Sequence, residues 1–132
     1  MRLLILGPSV VARLARNLNL AGQCHFPENW DIYFDGRSGA HISDFLSVLP
    51  NLSPPPHVVY VVLGENDIGF VPMHQIINQM IRFVDILLSS GVLCVCLGSM
   101  LPRLRPRQLT CAQYARMTRE VNRGDGPHFF YW

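Results

Sequence analysis

Apolar positions along the chain fall in short dense runs separated by polar or Gly/Pro-rich breaks. RLLILG (2–7) is one such run, stopped by Gly7-Pro8. Its length, its lack of a polar face and the turn signal after it predict a buried strand. In SVVARLARNLNL (9–20) the period changes. Val10, Leu14 and Leu18 recur at helical spacing, with Arg13, Arg16 and Asn17 largely off that face, so a helix with a Val10–Leu14–Leu18 stripe is expected. Residues 21–30 read as a loop, with Gly22, Pro27 and Asn29. DIYFDG (31–36) reads as a second strand, and RSGAH leads into a short helix, ISDFLSVL (42–49). SPPP (53–56) is a hard break. HVVYVVLG (57–64) is the clearest strand, β-branched and apolar on both faces, as a central parallel strand should be. A loop at 65–73 precedes an amphipathic helix at 74–91 that ends on Gly91. VLCVCLGS (92–99) is a fourth strand and MLPRLRPRQ (100–108) a Pro/Arg loop. A helix at 109–124 follows, with Thr110 as cap and Gly124 as stop, and HFFYW (128–132) closes the pattern as a fifth strand.

Strands alternating with helices in this way predict an α/β fold: one domain over residues 1–132, a mainly parallel sheet and right-handed crossovers. The expected strand order is the flavodoxin-like 2-1-3-4-5. In such sheets ligands bind beyond the carboxyl ends of the strands, where strand order reverses, here between strands 1 and 3.

Composition adds bounds. Apolar residues make up 49% of the chain and charged residues 15%, enough for a sizeable core and too apolar for disorder. The net charge of +2 gives no electrostatic case for nucleic acid. Arg103, Arg105 and Arg107 lie among prolines without interleaved aromatics, which reads as a solvated loop. The four cysteines are Cys24, Cys94, Cys96 and Cys111. Cys94 and Cys96 would share one strand face as small buried hydrophobes of a reducing compartment. No C-x-x-C pair suggests a metal site, and no cofactor is expected. No apolar run approaches the ~20 residues of a membrane span, and the first residues lack a signal-peptide pattern. The expected location is cytoplasmic. P-loop and dinucleotide fingerprints are absent. So is the G-x-S-x-G elbow, since Val11 stands where its second glycine would be.

Three polar segments each follow an apolar strand and each carry glycine: GPS (7–9), GRSGAH (36–41) and GENDIG (64–69). Singly, Ser9 is a helix N-cap, Gly36 and Gly39 are turn glycines, and Asn66-Asp67 is a loop pair. Gathered on one sheet edge, they fit a serine-hydrolase site. Ser9 would be the nucleophile. Its N–H, a glycine N–H after strand 2 and the Asn66 amide would form the oxyanion hole, helped by the positive end of the helix.

Gly7-Pro8-Ser9, Gly36-Arg37-Ser38-Gly39 and Gly64-Glu65-Asn66-Asp67 resemble, in order and strand context, the first three blocks of the SGNH (GDSL-type) hydrolases. GRSGA, LGENDIG and the LPR at 101–103 are further similar to SGNH-like domains in retroelement open reading frames of animals. The resemblance implies a three-layer α/β/α sandwich. It also implies Ser9 as nucleophile, Gly39 (with Gly36 as the alternative) and Asn66 as oxyanion donors, and small acyl or acetyl esters as substrates. Gly7, Gly36, Gly64, Asp67 and His41 would line the site. Two departures stand out. Pro8 replaces the family's acidic residue, and no Asp-x-x-His pair, which supplies the family's general base, follows strand 5; Asp125 and His128 have that spacing but come at the start of the strand. His128 falls at the wrong end of the sheet, His74 follows the third loop, and His41 lies where it could approach the site. The expectation is a domain lacking its C-terminal part, weak or inactive alone, with Phe129 to Trp132 exposed as a strand for self-association. The alternative is a degenerate binding or scaffolding domain of retroelement origin.

Overall fold

A computed structural model of the chain describes residues 1–21, 27–47, 54–98, 109–125 and 130–131. The elements are β1 Arg2–Gly7, α1 Ser9–Ala21, β2 Asp31–Gly36, α2 Ile42–Leu46, β3 Val58–Val61, α3 Met73–Ser89, β4 Cys94–Leu97, α4 Cys111–Asp125 and β5 Phe130–Tyr131. All strand pairings are parallel, in the order β2-β1-β3-β4-β5. The expected order therefore holds, with shorter third, fourth and fifth strands.

Register explains the core. Leu4 and Leu6 stand level with Val59 and Val61, and these with Val95 and Leu97. Period 2 puts all six on one face, and all are buried. Ile42 and Phe45 of α2, Ile76, Met80 and Phe83 of α3, and Tyr114 and Val121 of α4 close over them in one apolar cluster. On the other face α1 touches β1 and β2 and no other strand. Three layers result.

The face that α1 presents differs from the expected one. Val11 is 2% exposed and Leu14 is 44% exposed, so the buried stripe is turned by one residue. Close approach is the reason. A Cβ on Gly36 would lie 2.2 Å from the Ala12 nitrogen, and one on Gly7 would lie 2.4 Å from a Val11 methyl. Two bare backbones let the helix seat its Val11–Ala12 edge against the sheet.

The second face of β3 and β4 also departs from expectation. Val58, Tyr60, Cys94 and Cys96 are half-buried, not buried, because α1 does not reach them. The thiols of Cys94 and Cys96 lie 3.9 Å apart and unbridged. Gly91 ends α3 as predicted: it has φ 100°, and the N–H groups of Val92 and Gly91 donate to Leu87 and Leu88, a Schellman ending. Gly124 does not stop α4, which runs to Asp125. The helix after β2 ends at Leu46, with Ser47 as its cap. Cys24, Arg103, Arg105, Arg107, His128, Phe129 and Trp132 lie outside the described residues. Among the described residues no helix is long and apolar enough to cross a membrane, and no cluster of three or more His, Cys, Asp or Glu could hold a metal.

Candidate active site

The loops after β1, β2 and β3 meet at the carboxyl edge of the sheet. Because β1 lies between β2 and β3, any contact between the second and third loops passes the end of β1. Gly7, Pro8 and Ser9 stand there. The Arg37 N–H donates to the Gly7 carbonyl at 2.9 Å, tying the second loop to the first. The Asn66 side-chain amide donates to the Ala40 carbonyl at 3.0 Å. His41 Nδ1 lies 3.0 Å from Asp67 Oδ1, and the Ile42 N–H donates to Asp67 Oδ2 at 3.2 Å. Residues 40–42 of one loop are thus clasped to residues 66–67 of the other.

Ser9 is the first residue of α1 and is half-buried. It is not the capping residue that its position in the sequence suggested. The Pro8 carbonyl accepts from the Val11 and Ala12 N–H groups at 3.1 and 3.4 Å, so Pro8 caps and Ser9 is the first helical residue. Proline suits this seam because its fixed φ and missing N–H cost nothing there. The Ser9 N–H belongs to the first turn, whose donors have no acceptor within the helix, and the helix adds its positive end.

The two candidate glycines have different surroundings. Gly36 is packed against α1. Gly39 has φ 71°, and a Cβ added there would meet nothing within 4 Å. Arg37 enters that loop held by Asp35 at 3.0 and 3.1 Å, with its guanidinium 4.8 Å above the Phe45 ring.

The third loop is polar yet buried. Glu65, Asn66 and Asp67 are all buried. The loop coils into turns: the Asp67 and Ile68 N–H groups donate to Gly64, and those of Phe70 and Val71 to Asp67. Gly64 supplies the positive φ, 106°, that starts it. Burial pushes the Asp67 carboxyl above its usual range; the bonds from His41 and Ile42 act the other way, and the Asp44 charge adds to the rise. The His41 side chain is 40% exposed and meets the Phe70 ring edge-on, with centroids 6.3 Å apart. Asp44 fixes its backbone, accepting the His41 N–H at 2.8 Å.

Of the residues expected at the site, Gly7, Ser9, Gly39, His41, Gly64, Asn66 and Asp67 fall on these three loops, and Gly36 serves helix packing. His74 is exposed near the start of α3. His57 lies at the opposite edge, its Nδ1 accepting the Arg2 N–H at 2.9 Å. The pairing of His41 with Asp67 was not foreseen, since nothing in the spacing of two residues on different loops announces it. Ala40, whose carbonyl anchors the Asn66 amide, gave no chemical signal at all.

No family model matches the chain, and no curated protein matches it in sequence. Solved structures match its fold. A G-D-S-L family lipolytic protein from Veillonella parvula has a TM-score of 0.70 at 12% identity, over 99% of this chain and 76% of that one. A putative platelet activating factor from Streptococcus pneumonia has a TM-score of 0.73 at 18% identity, over 98% and 63%. The acetyl xylan esterase AlAXEase has a TM-score of 0.65 at 14% identity, over 99% and 76%. These structures bear on the hydrolase fold, not on the narrower likeness to retroelement-encoded domains. The chain has the fold of the GDSL/SGNH hydrolases.

Proposed function

We propose that this chain is an SGNH-type serine ester hydrolase domain acting on small acyl or acetyl esters. The observation that carries this is the clasp of three loops at the end of β1, which gathers Ser9, Gly39 and Asn66 on one edge. Ser9 Oγ attacks the ester carbonyl while its proton passes to solvent water, and the ester C–O bond then breaks as the alcohol leaves with a proton from solvent. Negative charge develops on the carbonyl oxygen, and the Ser9 N–H, the Gly39 N–H and the Asn66 amide donate to it. Donors fixed before the reaction stabilise that charge without reorganising, and losing one such donor costs about 10²–10³ in rate in a well-studied protease. Gly39 is preferred to Gly36 because the space beside its Cα is open, while Gly36 is packed against α1. Small esters are supported by the acetyl xylan esterase among the fold neighbours.

A serine hydroxyl stays protonated at neutral pH and needs a base to be a good nucleophile. The Asp-x-x-His spacing in this sequence, Asp125 to His128, precedes β5, whereas the family's pair follows the fifth strand. Slow acylation of the 132-residue chain is therefore expected, carried by the oxyanion donors and the helix end. Where a triad is disabled, about 10³–10⁴-fold over water remains from such terms. The test is fluorophosphonate labelling of the folded chain, located by mass spectrometry. Label on Ser9 that disappears in Ser9→Ala supports the hydrolase; a folded chain that takes no label leaves a binding scaffold instead.

A further inference from the structure

We infer that His41 is a positioning residue for the oxyanion hole, its imidazole fixing the spacing of Gly39 and Asn66 through Asp67. This rests on the hydrolase reading above. Gly39 and Asn66 belong to different loops, and the chain between them runs through α2, the segment 48–53 and β3. No local backbone geometry can hold two such donors at a set distance. Contacts between the loops must do so.

Among the described residues three hydrogen bonds cross between the two loops. Two use main-chain groups of the second loop, the Ala40 carbonyl and the Ile42 N–H. The third is the imidazole of His41 on Asp67 Oδ1 at 3.0 Å. Here the second loop contributes a side chain to the clasp, and that side chain sits two residues from Gly39. Asp67 is 2% exposed and His41 is 40% exposed. The carboxylate is therefore the fixed inner member and the imidazole the outer one, braced by the Phe70 edge. A carboxylate this buried needs its donors. Without the imidazole, Asp67 Oδ1 draws in water or the loop shifts to satisfy it, and Gly39 moves with the loop. A displacement of about 1 Å in a reacting constellation costs on the order of 10²-fold in rate.

The imidazole presents two nitrogens. Nδ1 faces Asp67, which is the positioning contact; Nε2 would be the atom used if His41 took the Ser9 proton. His41→Asn separates these roles. The asparagine amide nitrogen can take the place of Nδ1 and donate to Asp67, while nothing replaces Nε2. Fluorophosphonate labelling rates at Ser9 would be measured for wild type, His41→Asn, His41→Ala and Ser9→Ala. Amide hydrogen exchange over residues 37–42 and 64–69 would be followed in the same chains. His41→Ala is expected to label about tenfold to a hundredfold more slowly and to exchange faster in both loops. His41→Asn is expected to keep the wild-type exchange pattern and to label near the wild-type rate. Asparagine as slow as alanine with protected loops would overturn the inference in favour of proton transfer at Nε2. A labelled wild type with an unaffected His41→Ala would overturn it alone. A folded wild type without label at Ser9 would overturn the hydrolase reading and this inference with it.

Discussion

At Asp67 a carboxylate has given up nearly all its water and received in exchange an imidazole and one backbone N–H. The net effect still raises its pKa, desolvation being the largest cause. The consequence for stability has a definite sign. A carboxyl whose pKa is higher in the folded state binds its proton more tightly there than in the unfolded chain. Its contribution to stability is greatest at acid pH and falls as pH rises from the ordinary aspartate value through the raised one. Removing the His41 donor takes away a term that opposes the rise. The destabilisation caused by His41→Ala should therefore be small near pH 3, below the ordinary aspartate value, where Asp67 is protonated in the folded chain, and larger near pH 7. There it should reach about 1–3 kcal/mol, the usual cost of stranding a buried acceptor. Urea unfolding of both chains at the two pH values measures this; equal losses at both would contradict it.

Among the elements, the ends are where side-chain chemistry shows most directly. Thr110 and Gln113 form a reciprocal box at the start of α4: the Gln113 N–H donates to the Thr110 hydroxyl at 3.1 Å, and the Thr110 N–H donates to the Gln113 amide oxygen at 2.9 Å. Thr110→Ala should lower stability by about 1 kcal/mol, seen as a lower urea midpoint with an unchanged slope. The ends of β1 and β2 were legible because a glycine terminates each apolar run. Gly91 was legible because a left-handed ending favours glycine. Gly124 misled, since a glycine near a helix end is also tolerated inside it at about 1 kcal/mol relative to alanine. The Val10–Leu14–Leu18 stripe misled because α1 has apolar residues on adjacent faces. Two glycines on the sheet, Gly7 and Gly36, chose between those faces.

At the scale of the molecule, the described residues cover the sheet unequally. α2, α3 and α4 close one face, while α1 covers only β1 and β2 on the other. Val58, Tyr60, Cys94 and Cys96 are left half-buried there. Thiol chemistry reads this asymmetry. Cys111, exposed at the start of α4, should react first with an aromatic disulfide reagent. Cys94 and Cys96 should follow in the native chain, more slowly but without prior unfolding. Peptide mapping of the labelled thiols against time would establish the order. Protection of Cys94 and Cys96 until global unfolding would mean that this face is closed.

The sequence by itself determined the alternation of elements, the parallel sheet and the three segments that carry the candidate chemistry. Each of these is written in short-range signals: the period of apolar residues, a glycine or proline after a strand, a polar triplet at a strand end. Tertiary structure decided the partners of those segments. The pairing of His41 with Asp67 and the anchoring of Asn66 on Ala40 both depend on loops made adjacent by strand order. The turned stripe of α1 and the half-open face of β3 and β4 likewise depend on how far a helix can reach across a sheet. Hydrogen bonds and close packing act over a few ångströms in space, and no spacing along a chain encodes contacts of that kind.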